Sequence, residues 1–398
     1  MSWSDPALSE LIMGAYLGLL TVLWMALIMG TSSWGRRWTL ARPALDQDNM
    51  AQGARISVCI PARDEVVNIQ ECLEAVLATR WPDLEVVVVD DRSQDGTAEA
   101  ARMVAKTDSR VHVISGTEPP SGWAGKPWAC ARAAGESTGD LLCFVDADVR
   151  LEPDAIPALA NEMVRRGCGL ISAYGSWTLV GFWERVVVPA VGWLIRGAVD
   201  LNVVNDPGRP DAFANGQLIM VHRRPYEAME GHGVVRDQVL EDVRLAEQFK
   251  RRGETCAMVV APWAFSVRLY QSLSEIFNGY AKNLYEGMGR SPLIGLGAVL
   301  FIFVGALLPF AMAGIGTVAR LSWGWAIPGD MWLAWCIGVC LLQIIFRWGL
   351  ERRDGRSGAI AWAHPLANLV LVAILMRSIF AMEVKWKGRG YVDGRASG

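Results

Sequence analysis

Apolar residues run almost unbroken through four stretches of the chain. Between the first and second of these, short apolar runs alternate with helically spaced ones. Residues 11–30, LIMGAYLGLLTVLWMALIMG, carry no charge and are long enough to cross a bilayer core. The flank ahead of them holds Asp5 and Glu10 but no Lys or Arg, unlike the basic start of a signal peptide, so a retained anchor is expected. Residues 293–316, 331–346 with their flanks, and 359–376 repeat the pattern near the other end. The region from 55 to 290 reads differently. ISVCIPA (56–62), LEVVVVDD (84–91), VHVIS (111–115) and DLLCFVDAD (140–148) are strand signals. NIQECLEAVLATR (68–80), DGTAEAARMVAKT (95–107) and KPWACARAAGES (126–137) lie between them with helical spacing. This β-α-β-α-β-α-β order predicts an α/β fold with a parallel sheet and helices on both faces.

Domain organisation follows from that pattern. An N-terminal transmembrane anchor occupies 1–35, an α/β domain 55–290, about three transmembrane segments 291–385, and a tail 386–398. Arg36, Arg37 and Arg42 after the anchor put the α/β domain on the cytoplasmic side of a cell membrane. Arg347, Arg352, Arg353 and Arg356 suit a cytoplasmic loop between the last two spans. Four spans then put the C-terminus outside, whereas Lys385, Lys387 and Arg389 favour the inside. A re-entrant or interfacial segment among the last three would reconcile the two. The stretch 179–201, apolar but broken by Glu184, Arg185 and Arg196, has the makings of an interfacial helix, with a packed core helix as the alternative.

Composition narrows the chemistry. The chain has 398 residues, 52% hydrophobic, with a net charge of −3, so nothing points to a nucleic-acid partner. None of the eight Cys forms a CxxC pair, which fits reduced, buried thiols better than a metal finger.

In parallel sheets, ligands bind beyond the carboxyl ends of the strands. Asp90-Asp91 and Asp146-Ala147-Asp148 both stand at such ends. If the chain stays extended there, Asp146 and Asp148 share one side and Ala147 points away. Carboxylates in such a crevice suit a hard divalent cation that holds a diphosphate. Taken alone, a DxD reads more readily as a solvated turn or a helix cap.

The DxD is one of five motifs in a fixed order: VCIPARDEVVNIQECL, VVVVDDRSQDGTAEAA, GWAGKPWACARA, FVDADV and LEDVRLAEQFKRRG. Together they resemble the inverting GT-A glycosyltransferases of family 2 and their ceramide-glucosyltransferase-like relatives, over roughly residues 55–290. GWAGKPWA, FWERVVVPA, VNDP and FANGQLIMVHRRPYE look more narrowly like hopene-associated and carotenoid glycosyltransferases. The resemblance implies a Rossmann-like, mostly parallel GT-A domain that moves a hexose from a nucleotide sugar, UDP-glucose above all, to a hydroxyl of a membrane lipid. Carotenoid, hopanoid, sphingoid and glycerolipid acceptors all fit. A polyprenyl-phosphate transferase is the rival within the class, and a non-catalytic membrane scaffold the rival outside it.

The resemblance also implies roles. Pro61, Ala62 and Glu65 would line the base and ribose, and Asp91 would meet the uracil. Lys126 would neutralise diphosphate charge, and Asp146 would face the sugar or ribose. Asp148 would ligate Mg2+ or Mn2+, and Asp242 would be the base. A helix cap is the other reading of Glu241-Asp242. His232 is expected in a loop near the acceptor. The Q/RxxRW motif of many relatives is missing after the ED pair. Arg268 and Lys282, in VRLYQSLSEIFNGYAKNLYEG, are the candidates to replace its arginine at the diphosphate, with snorkelling at the membrane surface as the alternative.

Overall fold

The computed structural model describes residues 6–33, 35–43, 53–323, 330–380, 384–386, 389–392 and 395–396. The chain forms two compact units. A helical unit takes Met1–Trp34, Val180–Ile195 and Ser272–Ala381, and a sheet unit takes Gly35–Leu179, Arg196–Gln271 and Met382–Gly398.

The sheet unit carries ten strands ahead of its C-terminal segment. They are β1 (Ile56–Ala62), β2 (Leu84–Asp90), β3 (Val111–Ser115), β4 (Leu141–Val145), β5 (Val149–Leu151), β6 (Leu170–Tyr174), β7 (Ser176–Trp177), β8 (Leu218–His222), β9 (Cys256–Val260) and β10 (Phe265–Val267). Seven form one sheet in the order β3-β2-β1-β4-β8-β6-β9. The first four run parallel, as the alternating pattern predicts. β8 runs antiparallel to both of its neighbours, β4 and β6. β5, β10 and β7 make a second small sheet.

Strand periodicity of two sorts the apolar side chains onto two faces. Ile56, Val58 and Ile60 of β1 and Leu141, Cys143 and Val145 of β4 join one core with the helices Ile69–Leu77 and Ala155–Arg166. Cys59 of β1, Val87 and Val89 of β2, and Leu142 and Phe144 of β4 join the other. That second core is closed by the helices Gly125–Gly135 and Glu241–Arg251, through Ala129, Ala133, Leu245 and Phe249. The helices bearing Lys126 and Asp242 therefore pack on the same face of the sheet, although the chain separates them widely.

In the helical unit, four helices are long and apolar enough to cross a membrane: Leu8–Gly30, Pro292–Ser322, Met331–Arg353 and Ala361–Phe380. Each is longer than the apolar stretch that announced it, because Trp, Ser and Arg at the ends stay helical while lowering the hydropathy. A π turn, Phe303–Leu307, interrupts the second of them. Tyr16 Oη donates to the Val304 carbonyl at 2.7 Å, and Trp24 Nε1 to that of Gly305 at 3.2 Å. Side chains thus satisfy carbonyls that no water could reach in lipid. Three short strands between 384 and 396 pair antiparallel. Lys387 lies outside the described residues, as do residues 388, 393–394 and 397–398 of the tail.

At the amino end of the sheet, Glu85 of β2 binds three segments together. It accepts from Ser57 Oγ at 2.5 Å, from the Thr138 and Gly139 amides at 2.5 and 3.1 Å, and from Arg55 at 3.1 Å. Burial works to raise its pKa, but the bonds from Ser57, Thr138 and Arg55 outweigh it and bring the group from 4.5 to about 2. Its contribution to stability is full above pH 4.5 and is lost as the pH falls towards about 2. Glu85→Gln should cost about 2 kcal/mol at neutral pH. It should also flatten acid unfolding in that window, as read by denaturant melts at pH 7 and pH 3.

Candidate functional site

A small cavity opens at the carboxyl end of the sheet. It is lined by Pro61 from β1, Lys126 and Cys130 from one helix, Phe144 and Val145 at the end of β4, Asp146 just after it, Gly216, His232, and Glu241 with Asp242. Lys126 is in the first turn of its helix, and Glu241 and Asp242 are the first two residues of theirs. Two helix N-termini on the same face therefore deliver a cation and two carboxylates to one point.

Lys126 Nζ lies 2.7 Å from Asp146 Oδ1 and 3.0 Å from Glu241 Oε1. Desolvation opposes its charge, but Asp146 and then Glu241 override it and hold the ammonium well above its ordinary pKa. Burial pushes Asp146 up, and Lys126 pulls it back.

Asp242 Oδ2 accepts the Gly216 amide at 2.7 Å, and Oδ1 accepts the Val243 amide at 2.8 Å. Burial and the neighbouring Glu241 raise its pKa to about 6, against the pull of Lys126 and of the two amides. The helix-cap reading is not met: Leu240 stands at the N-cap without a side-chain cap bond, and Glu241 and Asp242 lie inside the first turn. Gly216 lies close against both charged groups. A Cβ there would stand 3.0 Å from Asp242 Oδ2 and 3.1 Å from Lys126 Nζ.

The DxD departs from expectation. The chain does not stay extended through it. β4 ends at Val145, residues 147 and 148 form a turn, and β5 begins at Val149. The Val149 amide closes this turn on the Asp146 carbonyl at 3.1 Å. The strand must end here because β5 leaves the main sheet to pair with β10. Ala147 is buried while both acids are partly exposed.

Glu65, Asp146 and Asp148 all act electrostatically on the buried Cys72 thiol, which desolvation raises most. The three carboxylates therefore share one neighbourhood. Among the described residues, no three His, Cys, Asp or Glu side chains form a ready cation cage. One or two carboxylates, completed by substrate phosphates, are the usual holders of Mg2+, and this donor set fits that arrangement.

The ends of β1 and β2 are tied to each other. The Asp91 amide donates to the Ala62 carbonyl at 2.7 Å, and Arg63 Nη1 to the Asp91 carbonyl at 2.9 Å. Asp64 and Arg92 have φ of 51° and 59°, a left-handed backbone that non-glycine residues adopt at a cost and that gathers at functional sites. Asp91 is buried, with a carboxyl oxygen 3.8 Å from Arg92 Nε. Glu65 accepts from Asn68 at 2.7 Å.

The expected residues thus fall into three groups. Pro61, Lys126, Asp146 and Asp242 converge on the cavity. Ala62, Glu65, Asp91 and Asp148 stand at adjoining strand ends and turns of the same sheet edge. Arg268 follows β10 in the sheet unit, while Lys282 is on the helix Leu273–Gly287 of the helical unit, and neither lines the cavity. His232 is not in an open loop. It is buried in the short helix Gly231–Val235, with Nδ1 2.8 Å from Tyr226 Oη and its ring 4.7 Å from that of Phe144. Burial lowers its pKa to about 4, so it is neutral at pH 7. Sequence reasoning missed Glu241 as a partner of Lys126, and Gly216 as a donor to Asp242. The adjacent acids at a helix start were the available signal for the first; no local signal marks the second.

Lys126→Met would leave Asp146 and Glu241 facing each other without a cation. The expected loss is about 1–3 kcal/mol, since the lysine is only half-buried. Protonation relieves that repulsion, so the loss should be larger at pH 8 than at pH 5 in denaturant melts of the full-length protein.

Residues 57–178 match the family model described as Glycosyl transferase family 2. Over 385 residues the chain is 26% identical to the 4,4'-diaponeurosporenoate glycosyltransferase of Staphylococcus aureus strain MRSA252, covering 94% of this chain and 96% of the relative. The enzyme of strain USA300 aligns over 387 residues at the same identity. In structure the chain is similar to a mannosyltransferase of Pyrobaculum calidifontis solved with GDP-Man and Mn2+. The TM-score is 0.55 at 19% identity, over 92% of this chain and 99% of that one. The sheet unit has the GT-A fold, and its residues 57–178 carry the likeness to Glycosyl transferase family 2.

Proposed function

We propose that the protein is an inverting glycosyltransferase that moves a hexose, glucose in the first instance, from a UDP-sugar to a hydroxyl of a membrane lipid. The observation that carries this reading is the Asp242 carboxylate. It is fixed by two backbone amides, raised to about 6, and set beside the Lys126–Asp146–Glu241 cluster at the sheet's ligand edge. A general base works best with a pKa near the operating pH and a fixed geometry.

In the proposed step, the acceptor oxygen bonds to the anomeric carbon as the bond from that carbon to the diphosphate oxygen breaks. The acceptor proton passes to Asp242, and the nucleoside diphosphate leaves. Pro61, Ala62 and Glu65 would bound the base and ribose, and Asp91 would take the uracil N–H. Lys126 would offset diphosphate charge, with Asp146 towards the sugar or ribose. Arg268 and Lys282 are further candidates for the diphosphate. Asp148 would hold Mg2+ or Mn2+, which would stabilise the leaving diphosphate as a Lewis acid.

A lipid acceptor is supported by the four span-length helices and by the carotenoid-derived name of the Staphylococcus aureus relative. Carotenoid, hopanoid, sphingoid and glycerolipid hydroxyls belong to one class of acceptor here. The corresponding location is the cell membrane, with the GT-A domain facing the cytoplasm.

Asp242→Asn should lower transfer at least about 100-fold while leaving the melting temperature close to wild type. The base must be ionised, so kcat/KM should fall as the pH drops below about 6. Membrane-embedded protein incubated with radiolabelled UDP-glucose or UDP-galactose and native lipids, with mass spectrometry of the labelled product, reads both. Full transfer by Asp242→Asn would remove Asp242 as the base, and no labelled lipid from either donor would overturn the reading.

A further inference from the structure

The helix Phe182–Ala198 contains Pro189. Proline has no N–H, so the carbonyl four residues earlier, that of Arg185, loses its helical donor. Arg347, on the helix Asp330–Arg353, supplies one. Its Nη2 donates to the Arg185 carbonyl at 2.8 Å and to the Val186 carbonyl at 3.2 Å. Its Nε donates to Glu351 at 2.7 Å, and Glu351 also pairs with Arg356.

Arg347 is 2% exposed and Glu351 1% exposed. Buried charges in a helix of span composition are costly and are retained for a reason. Neutralising Arg347 is the task of Glu351. Its Nη2 goes, at the shorter distance, to the carbonyl in the neighbouring helix that has lost its amide, and at the longer one to the next carbonyl, that of Val186. Side chains that re-satisfy the backbone freed by a proline are what makes such prolines tolerable in an apolar setting.

We propose that Arg347 is a positioning residue. It replaces the hydrogen bond that Pro189 removes and thereby fixes the helix Phe182–Ala198 against the span Met331–Arg353. On the interfacial reading of residues 179–201, and on the reading under Proposed function, the clamp holds a helix that would meet the lipid acceptor, so its loss should act on the lipid and leave donor binding alone.

The test is a double-mutant cycle on the full-length protein in lipid nanodiscs: wild type, Pro189→Ala, Arg347→Met, and the pair. Arg347→Met should lower stability to denaturant and raise the apparent KM for lipid several-fold, with the KM for UDP-sugar unchanged. Pro189→Ala returns an amide to the Arg185 carbonyl. In the Arg347→Met background it should recover about tenfold of the lost unfolding equilibrium and part of the acceptor KM. Equal losses from Arg347→Met, with or without Pro189→Ala, would leave Arg347 as a partner of Glu351 only and overturn the proposal. If Arg347→Met does not fold, Arg347→Lys serves. It should cost stability beside Pro189 and little once Pro189→Ala is in place, and equal costs again overturn the proposal. The unfolding cycle needs no activity. A coupled cycle without any glycosylated lipid counts against the proposed function and for the clamp.

Discussion

The ammonium of Lys126 between Asp146 and Glu241 is the contact on which the sheet edge depends. Three parts of the chain meet there: the first turn of one helix, the turn after β4, and the first residue of another helix. Lys126 and Asp146 are partly exposed and Glu241 is buried, so the pairing matters most for Glu241. Two carboxylates around one lysine leave a net negative charge, and that excess is felt by the third carboxylate, Asp242. Its pKa is raised first by burial and then by Glu241, against the pull of Lys126 and of the Gly216 and Val243 amides. The face on which the helices pack is decided earlier still, by the alternation of side chains along β1, β2 and β4.

The helical unit solves a different problem with similar means. In an apolar surrounding, a backbone irregularity leaves carbonyls that water cannot reach. The π turn Phe303–Leu307 is met by Tyr16 and Trp24, and the gap left by Pro189 is met by Arg347. Gln343 joins the first set, with Nε2 3.5 Å from the Gly305 carbonyl. Gln343, Arg347 and Glu351 are spaced four residues apart and fall on one face of their helix. All three are almost fully buried, and this polar stripe holds irregular neighbours in place.

Much of this was legible in the residues. The four parallel strands, their helices and the four span-length helices all follow from period-two and helical spacing, because burial on two faces or in lipid is written directly into hydropathy. The antiparallel β8 was not legible, since LIMVH reads the same in either direction and its pairing depends on distant β4 and β6. The turn inside Asp146-Ala147-Asp148 was hidden for a related reason. Nothing local ends β4 there; the pairing of β5 with β10 does. The convergence of Lys126, Asp146 and Asp242 came from resemblance in the order of motifs, not from spacing. The carbonyl contacts of Arg347 lay beyond sequence reasoning, as they join segments through space.

The electrostatic order of the cleft bears on how a donor would be received. Lys126 pulls the pKa of Asp242 down, while burial and Glu241 push it up. On the proposed reading, a diphosphate arriving near Lys126 comes with the divalent cation at Asp148, and the two together reset the charge around the lysine and so its pull on Asp242. Asp242 keeps its position throughout, because its two amide bonds come from Gly216 and Val243 rather than from the lysine. A base fixed by backbone and tuned by neighbouring charge can change strength without moving, which suits a displacement that demands alignment.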